Sequence, residues 1–129
     1  IRFGCPDGYS APDDDVQRFL DMGSPSVESS VDPKAAVVGA HAVHTDTWVS
    51  MGQEDEKAER LAIFGGYTVT ESMMSAAASD AIFMHCLPAY RGLEVEASVI
   101  DGPTSRIIQQ AHNRLHSARG AMAYVLGGK

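Results

Sequence analysis

The chain is short of cysteine, of positive charge and of long apolar runs. Its two cysteines, Cys5 and Cys86, are too few for a disulfide framework or a four-ligand zinc pattern. Only 10 Lys and Arg stand against 17 Asp and Glu, giving a formal net charge of −7. The basic residues are scattered rather than gathered into a stripe, which argues against a nucleic-acid partner. No apolar run approaches the roughly 20 residues that a bilayer requires, so no membrane partner is expected. The sequence opens without a charged segment leading into an apolar one, and a cytoplasmic location is the expectation.

What is present suits one soluble globular domain with a single core: 129 residues, 44% hydrophobic and 21% charged. Ile1 to Cys5 reads as a strand already under way, followed by a PDG turn, so the chain is expected to open in mid-domain. Asp13 to Asp15 supply an acidic helix start, Val16, Phe19 and Leu20 one apolar face, and Gly23 to Pro25 an end. The pattern recurs with a short strand within Ser26 to Val31, an Asp32 N-cap before Pro33, and a short helix closed by Gly39. Ala42 to Asp46 is a third strand. Gln53 to Arg60, followed by Gly65 and Gly66, reads as a mobile excursion with a solvated acidic face. Thr70 is placed to cap a helix from Glu71 to about Ala78, with Met73 and Met74 in the core.

Ala81 to His85 is an unalternating apolar run, as in a strand buried on both faces of a parallel sheet. At the other end, Ile108, Ala111, Leu115, Ala118, Met122 and Val125 fall at helical spacing and predict a long amphipathic helix, with Gly120 as a weak point. Strands alternating with helices indicate an α/β fold whose ligands bind beyond the carboxyl ends of the strands. Two motifs occupy those ends: DTWVSMG, residues 46–52, and FMHCLPAYRG, residues 83–92.

Cys86 admits the chemistry of a metal ligand, for which the two cysteines make no four-ligand pattern, and three others. A packed thiol is the ordinary fate of a lone cysteine. A nucleophile needs a base in reach, and His85, its neighbour on a strand, points to the opposite face. Handling a substrate at the sheet rim is the third. His112 and His116 lie four apart but lack an HExxH context, and solvated surface is the better account. Arg114 sits beside the apolar stripe of its helix; a partly buried guanidinium there needs an anionic or carbonyl partner, structural or from a ligand.

Taken together, DTWVSMGQE, FMHCLPAYRG, the VIDGP turn at residues 99–103 and HNRLHSARGAMAYVL resemble the carboxyl-terminal, ornithine-binding half of the ornithine carbamoyltransferases, in the aspartate/ornithine carbamoyltransferase family. The aspartate-specific relatives carry HPLP and lack the SMG loop. The resemblance implies a Rossmann-like parallel sheet with flanking helices, here lacking its first strand and helix. It implies transfer of the carbamoyl group of carbamoyl phosphate to the δ-amine of L-ornithine, giving citrulline and phosphate, with no cofactor and no metal.

By the same resemblance, Asp46 engages the ornithine amino groups, and Ser50 and Met51 belong to a loop that closes over the amino acid. Cys86 lies beside the reacting amine, and the Leu87 carbonyl receives the carbamoyl amino group. Arg114 helps bind the carbamoyl group, which His85 also touches. Catalysis would rest on Cys86, Asp46 and Arg114. The family's STRTR-type and HPxQ motifs, which hold carbamoyl phosphate on an amino-terminal domain, are absent from the sequence. Residues 1–129 are therefore expected to be a partial ornithine-binding domain, inactive alone, from a family whose full-length members form a homotrimer. The alternative is a non-catalytic amino-acid-binding or assembly module; a carbamoyltransferase for another amine fits SMG less well. Tyr90, where many members carry histidine, His112, where an acidic residue commonly precedes Asn-Arg, and Gly120 depart from the pattern.

Overall fold

A computed structural model describes residues 1–127. In chain order the elements are β1 (Arg2–Gly4), α1 (Asp13–Asp21), β2 (Glu28–Ser30), α2 (Pro33–Val37) and β3 (Ala42–Thr45). A single 3-10 turn (Glu54–Glu56) then runs into α3 (Lys57–Phe64), followed by α4 (Glu71–Ala76), β4 (Ile82–His85), α5 (Ala97–Ile100) and α6 (Ile107–Val125).

Local chemistry accounts for the helix starts. The Asp32 carboxylate accepts a hydrogen bond from Lys34 N at 2.9 Å with Pro33 in the first turn, and Thr70 Oγ1 accepts from Met73 N at 3.1 Å. Each satisfies an amide that the helix itself leaves unpaired. Three aspartates occupy the first turn of α1, where the dipole favours them.

The strands pair in parallel, β1 with β2 and β3 with β4. The expected continuous sheet is met only in these halves: among the described residues there are two two-stranded sheets. Each of β1 and β3 therefore keeps one open edge. A groove of about 380 Å³ runs between those edges, with Ile1, Arg2 and Gly4 on one side and Ala42 and His44 on the other.

The core collects Val43 and Phe83 from neighbouring strands with Val69, Val95, Val99 and Ile100. Met73 is buried and Met74 packs against this cluster. Phe83 is also paired through its backbone, its N–H donating to Thr104 O at 3.0 Å and its carbonyl accepting from Arg106 N at 2.9 Å. These two bonds fix the approach to α6, whose first turn rests on β4.

Several expectations need correction. β4 is not covered on both faces: Phe83 and His85 are buried, whereas Ile82 and Met84 are half-buried. The Gln53 to Arg60 stretch is not a loose excursion. Arg60 pairs with Glu56 at 2.8 Å, and Phe64 stacks on the largely buried Trp48 at 5.9 Å and meets Tyr9 edge-on at 4.9 Å, which ties the helix to the body. The apolar stripe of α6 exists but is bare, with Ile108, Leu115 and Met122 each more than 60% exposed. Phe19 and Leu20 of α1 are open as well. The periodicity is real in both helices; no described element lies over either face.

Candidate functional site

β3 and β4 are adjacent and parallel, so the residues leaving their carboxyl ends emerge side by side. Asp46 follows Thr45, which is paired with His85, and Cys86 follows His85. A pocket of about 400 Å³ opens there, and Asp46, Ser50, Met51, Cys86 and Leu87 all line it. Five of the seven residues singled out in the sequence thus converge on one cavity.

Trp48 anchors the DTWVSMG loop. Its indole stacks on Phe64, and its carbonyl accepts a hydrogen bond from Arg60. Beyond that anchor the loop tip is open, with Met51 98% exposed and Ser50 N held by Gln53 Oε1 at 3.1 Å.

The surroundings of Cys86 favour the thiol over the thiolate. Burial pushes its pKa up first, the neighbouring Asp46 carboxylate adds to this, and Arg114 opposes it. A nucleophilic cysteine needs the reverse balance. The sign of each neighbour gives a direct test. In an iodoacetamide time course at pH 8, Cys86 of the unmodified chain should react more slowly than a free thiol. D46N removes the anion, lowers the pKa and should speed alkylation; R114Q removes the cation, raises the pKa and should slow it. The same order for both variants would contradict this electrostatic account.

Two placements differ from expectation. Arg114 is exposed, not half-buried, and makes no ion pair among the described residues; its charge opposes the rise in the Cys86 pKa. His85 is fully buried, and both ring nitrogens are engaged: Nδ1 accepts from Leu87 N at 2.8 Å and Nε2 faces Glu94 Oε1 at 3.2 Å. Its ring thus braces the motif through both nitrogens. Ligand atoms of Asp46, His85 and Cys86 lie within 4.8 Å of one another. With both imidazole nitrogens committed, the cluster is a hydrogen-bonded corner and a poor metal cage.

Glu94 and Gln110 were not anticipated. Glu94 is a fully buried carboxylate. Gln110, on the first turns of α6, accepts from His85 N at 2.9 Å through Oε1 and meets His44 Nε2 at 3.2 Å through Nε2, joining β3 and β4 near the site. Burial first, and then His85, lower the His44 pKa, with Asp46 opposing; a neutral His44 suits it to accept from the Gln110 amide.

The family model described as aspartate/ornithine carbamoyltransferase, Asp/Orn binding domain, matches residues 1–125. An ornithine carbamoyltransferase from Leifsonia xyli subsp. xyli is 48% identical over 130 residues, which cover 98% of this chain and 41% of that protein. The chain spans about two fifths of the length of the curated relatives it matches. Among solved structures, the anabolic ornithine carbamoyltransferase of Campylobacter jejuni superposes with a TM-score of 0.89 at 32% identity, over 100% of this chain and 44% of that one. The Pyrococcus furiosus ornithine carbamoyltransferase gives a TM-score of 0.85 at 42% identity, over 100% of this chain and 42% of its own.

Proposed function

Because the chain belongs to the aspartate/ornithine carbamoyltransferase family, we propose that it is the ornithine-binding part of an ornithine carbamoyltransferase. The reaction joins the δ-nitrogen of L-ornithine to the carbonyl carbon of carbamoyl phosphate and breaks the carbon–oxygen bond to phosphate, giving L-citrulline and phosphate. The observation that carries this reading is the convergence of Asp46, Ser50, Met51, Cys86 and Leu87 on one pocket. Its acidic wall suits an amine-bearing substrate, and SMG with HCLP favours ornithine over aspartate.

In this site Asp46 pairs with an amino group of ornithine by a charge-assisted hydrogen bond. The δ-ammonium must lose a proton before it can attack, and a carboxylate beside a neutral thiol sets that balance through hydrogen bonding rather than covalent chemistry. Cys86 lies along the substrate stem, and the Leu87 carbonyl accepts from the carbamoyl amino group. Arg114 stabilises negative charge on the carbamoyl oxygen as the tetrahedral centre forms. Closure of Ser50 and Met51 over the α-substituents excludes water and holds the amine in line for attack. Carbamoyl phosphate is held by a second, amino-terminal domain, and the complete protein works as a homotrimer.

We also infer that the two half-sheets are the flanks of one doubly wound sheet. With β2 outside β1 and β4 outside β3, a single strand in the groove gives the spatial order β2, β1, added strand, β3, β4. This is the order of a Rossmann half whose first strand lies at the centre.

Titrating the purified chain with L-ornithine, followed by amide NMR, tests the substrate. Shifts should gather on Asp46, Ser50, Met51, Cys86 and Leu87, and D46N should weaken binding about tenfold, the usual scale for a lost charged hydrogen bond. L-aspartate should leave those signals in place. A chain that ignores ornithine, or binds aspartate equally well, would falsify the assignment.

A further inference from the structure

Glu94 and His85 are the buried polar residues among those described, and both are 0% exposed. Polar side chains held out of water are costly unless their hydrogen bonds are satisfied, so their partners matter. Glu94 Oε1 accepts from Tyr90 N and faces His85 Nε2, while Oε2 is buried without a protein partner. On the far side of the ring, Leu87 N donates to His85 Nδ1 at 2.8 Å. A backbone N–H can only donate, so Nδ1 is the acceptor, and the proton of the neutral imidazole lies on Nε2, towards Glu94.

We propose that Glu94 is a positioning residue for the substrate pocket: by accepting the Nε2 proton it fixes the His85 tautomer, and so keeps Nδ1 free to hold the Leu87 N–H. Leu87 has a φ of 62°, a left-handed conformation that is disfavoured for a residue with a Cβ. The Nδ1 bond holds that conformation, and the conformation sets where the Leu87 carbonyl and the Cys86 thiol face the pocket. Without an acceptor at Glu94, the ring proton is free to move to Nδ1. Two donors then face each other and the turn loosens. The chain of contacts runs Glu94, His85, Leu87; Glu94 also forms part of the pocket wall, but its Oε1 is taken up by Tyr90 N and His85. The substrate role rests on the ornithine reading above, whereas the tautomer does not.

Nitrogen NMR of the full chain, with the histidine rings labelled, reads the tautomer directly. In the unmodified chain Nε2 of His85 should give the protonated signal and Nδ1 the unprotonated one; a proton on Nδ1 overturns the proposal whatever the variants do. E94Q keeps an acceptor oxygen and should retain both the ring signature and slow exchange of the Leu87 amide. E94M fills the space without an acceptor; it should mix the tautomers and raise Leu87 exchange about tenfold, the scale of one lost hydrogen bond. Ornithine affinity should fall with E94M and recover with E94Q, a pattern that simple loss of packing does not produce. An E94M chain with an unchanged ring signature overturns the proposal. Failure of the unmodified chain to bind ornithine sinks the substrate assignment and leaves the ring test standing.

Discussion

Purified residues 1–129, supplied with L-ornithine and carbamoyl phosphate, should form no citrulline above the uncatalysed rate. Fused behind the amino-terminal half of a full-length relative such as the Pyrococcus furiosus protein, the same residues should raise the rate at least about a thousandfold. The expectation follows from what carbamoyl transfer asks of a site. Holding two reactants in attack geometry supplies about 7–11 kcal/mol of the barrier, and that requires both to be bound. A dianionic phosphate needs several fixed donors, and among the described residues the pocket wall holds one cationic side chain, Lys57. Arg60 is committed to Glu56, Arg91 to Asp101 through two short contacts, and Arg106 to the carbonyls of Pro103 and Ser105. Arg114 alone reaches Cys86 with its charge. Lys57 and Arg114 do not make a cluster of fixed donors for a leaving phosphate among the described residues. A coupled assay for citrulline, run on the chain alone and on the fusion, separates the cases. Turnover by the isolated chain would overturn the division of labour between halves. A fusion that binds ornithine yet stays silent would favour the non-catalytic binding module.

The parts of this site that could be read from sequence are those made by short-range chemistry. Asp32 and Thr70 cap their helices because the hydroxyl or carboxylate meets an amide two or three residues on. Asp46 and Cys86 were foreseeable as neighbours because both follow parallel strands, and the rim at strand carboxyl ends is where such folds bind ligands. Glu94 was not foreseeable. Its tie to His85 spans nine residues and depends on a turn in which Leu87 adopts positive φ, a conformation that residue type does not advertise. Gln110 reaches His85 across 25 residues of sequence and depends on the seating of α6 on β4. Arg114 lies on α6 as its spacing predicts, but it is exposed rather than half-buried. Periodicity says which face is apolar, not whether anything covers it, and the bare stripe from Ile108 to Met122 is the same lesson.

Filling the groove between β1 and β3 should stabilise the chain by a large margin. Extending it at Ile1 with the preceding strand and helix of the Pyrococcus furiosus relative should raise Tm by about 10 °C or more, the shift that roughly 3 kcal/mol gives in a domain of this size. In a parallel ladder alternate residues of a strand bond to opposite neighbours. On β1, Ile1 O and Cys5 N serve β2, and the same alternation turns the amides of Arg2 and Gly4 towards the groove; on β3, His41 O serves β4 and turns Ala42 and His44 towards it. A second cavity of about 400 Å³ continues alongside, lined by Arg2 to Cys5 and by His44 to Trp48. Residue numbers rise together on both walls from one cavity to the next, so β1 and β3 run in the same direction and one strand parallel to both can bond to each. That strand would also end beside Asp46 and Trp48, bringing its carboxyl end to the substrate rim. Hydrogen exchange separates a seated strand from a tethered one: the amides of Arg2, Gly4, Ala42 and His44 should become protected, and a proline pair within the added strand should abolish both protection and the Tm gain. An extension that raises Tm while leaving those four amides open would place the stabilisation elsewhere, and one that changes neither would show that the half-sheets do not share a centre.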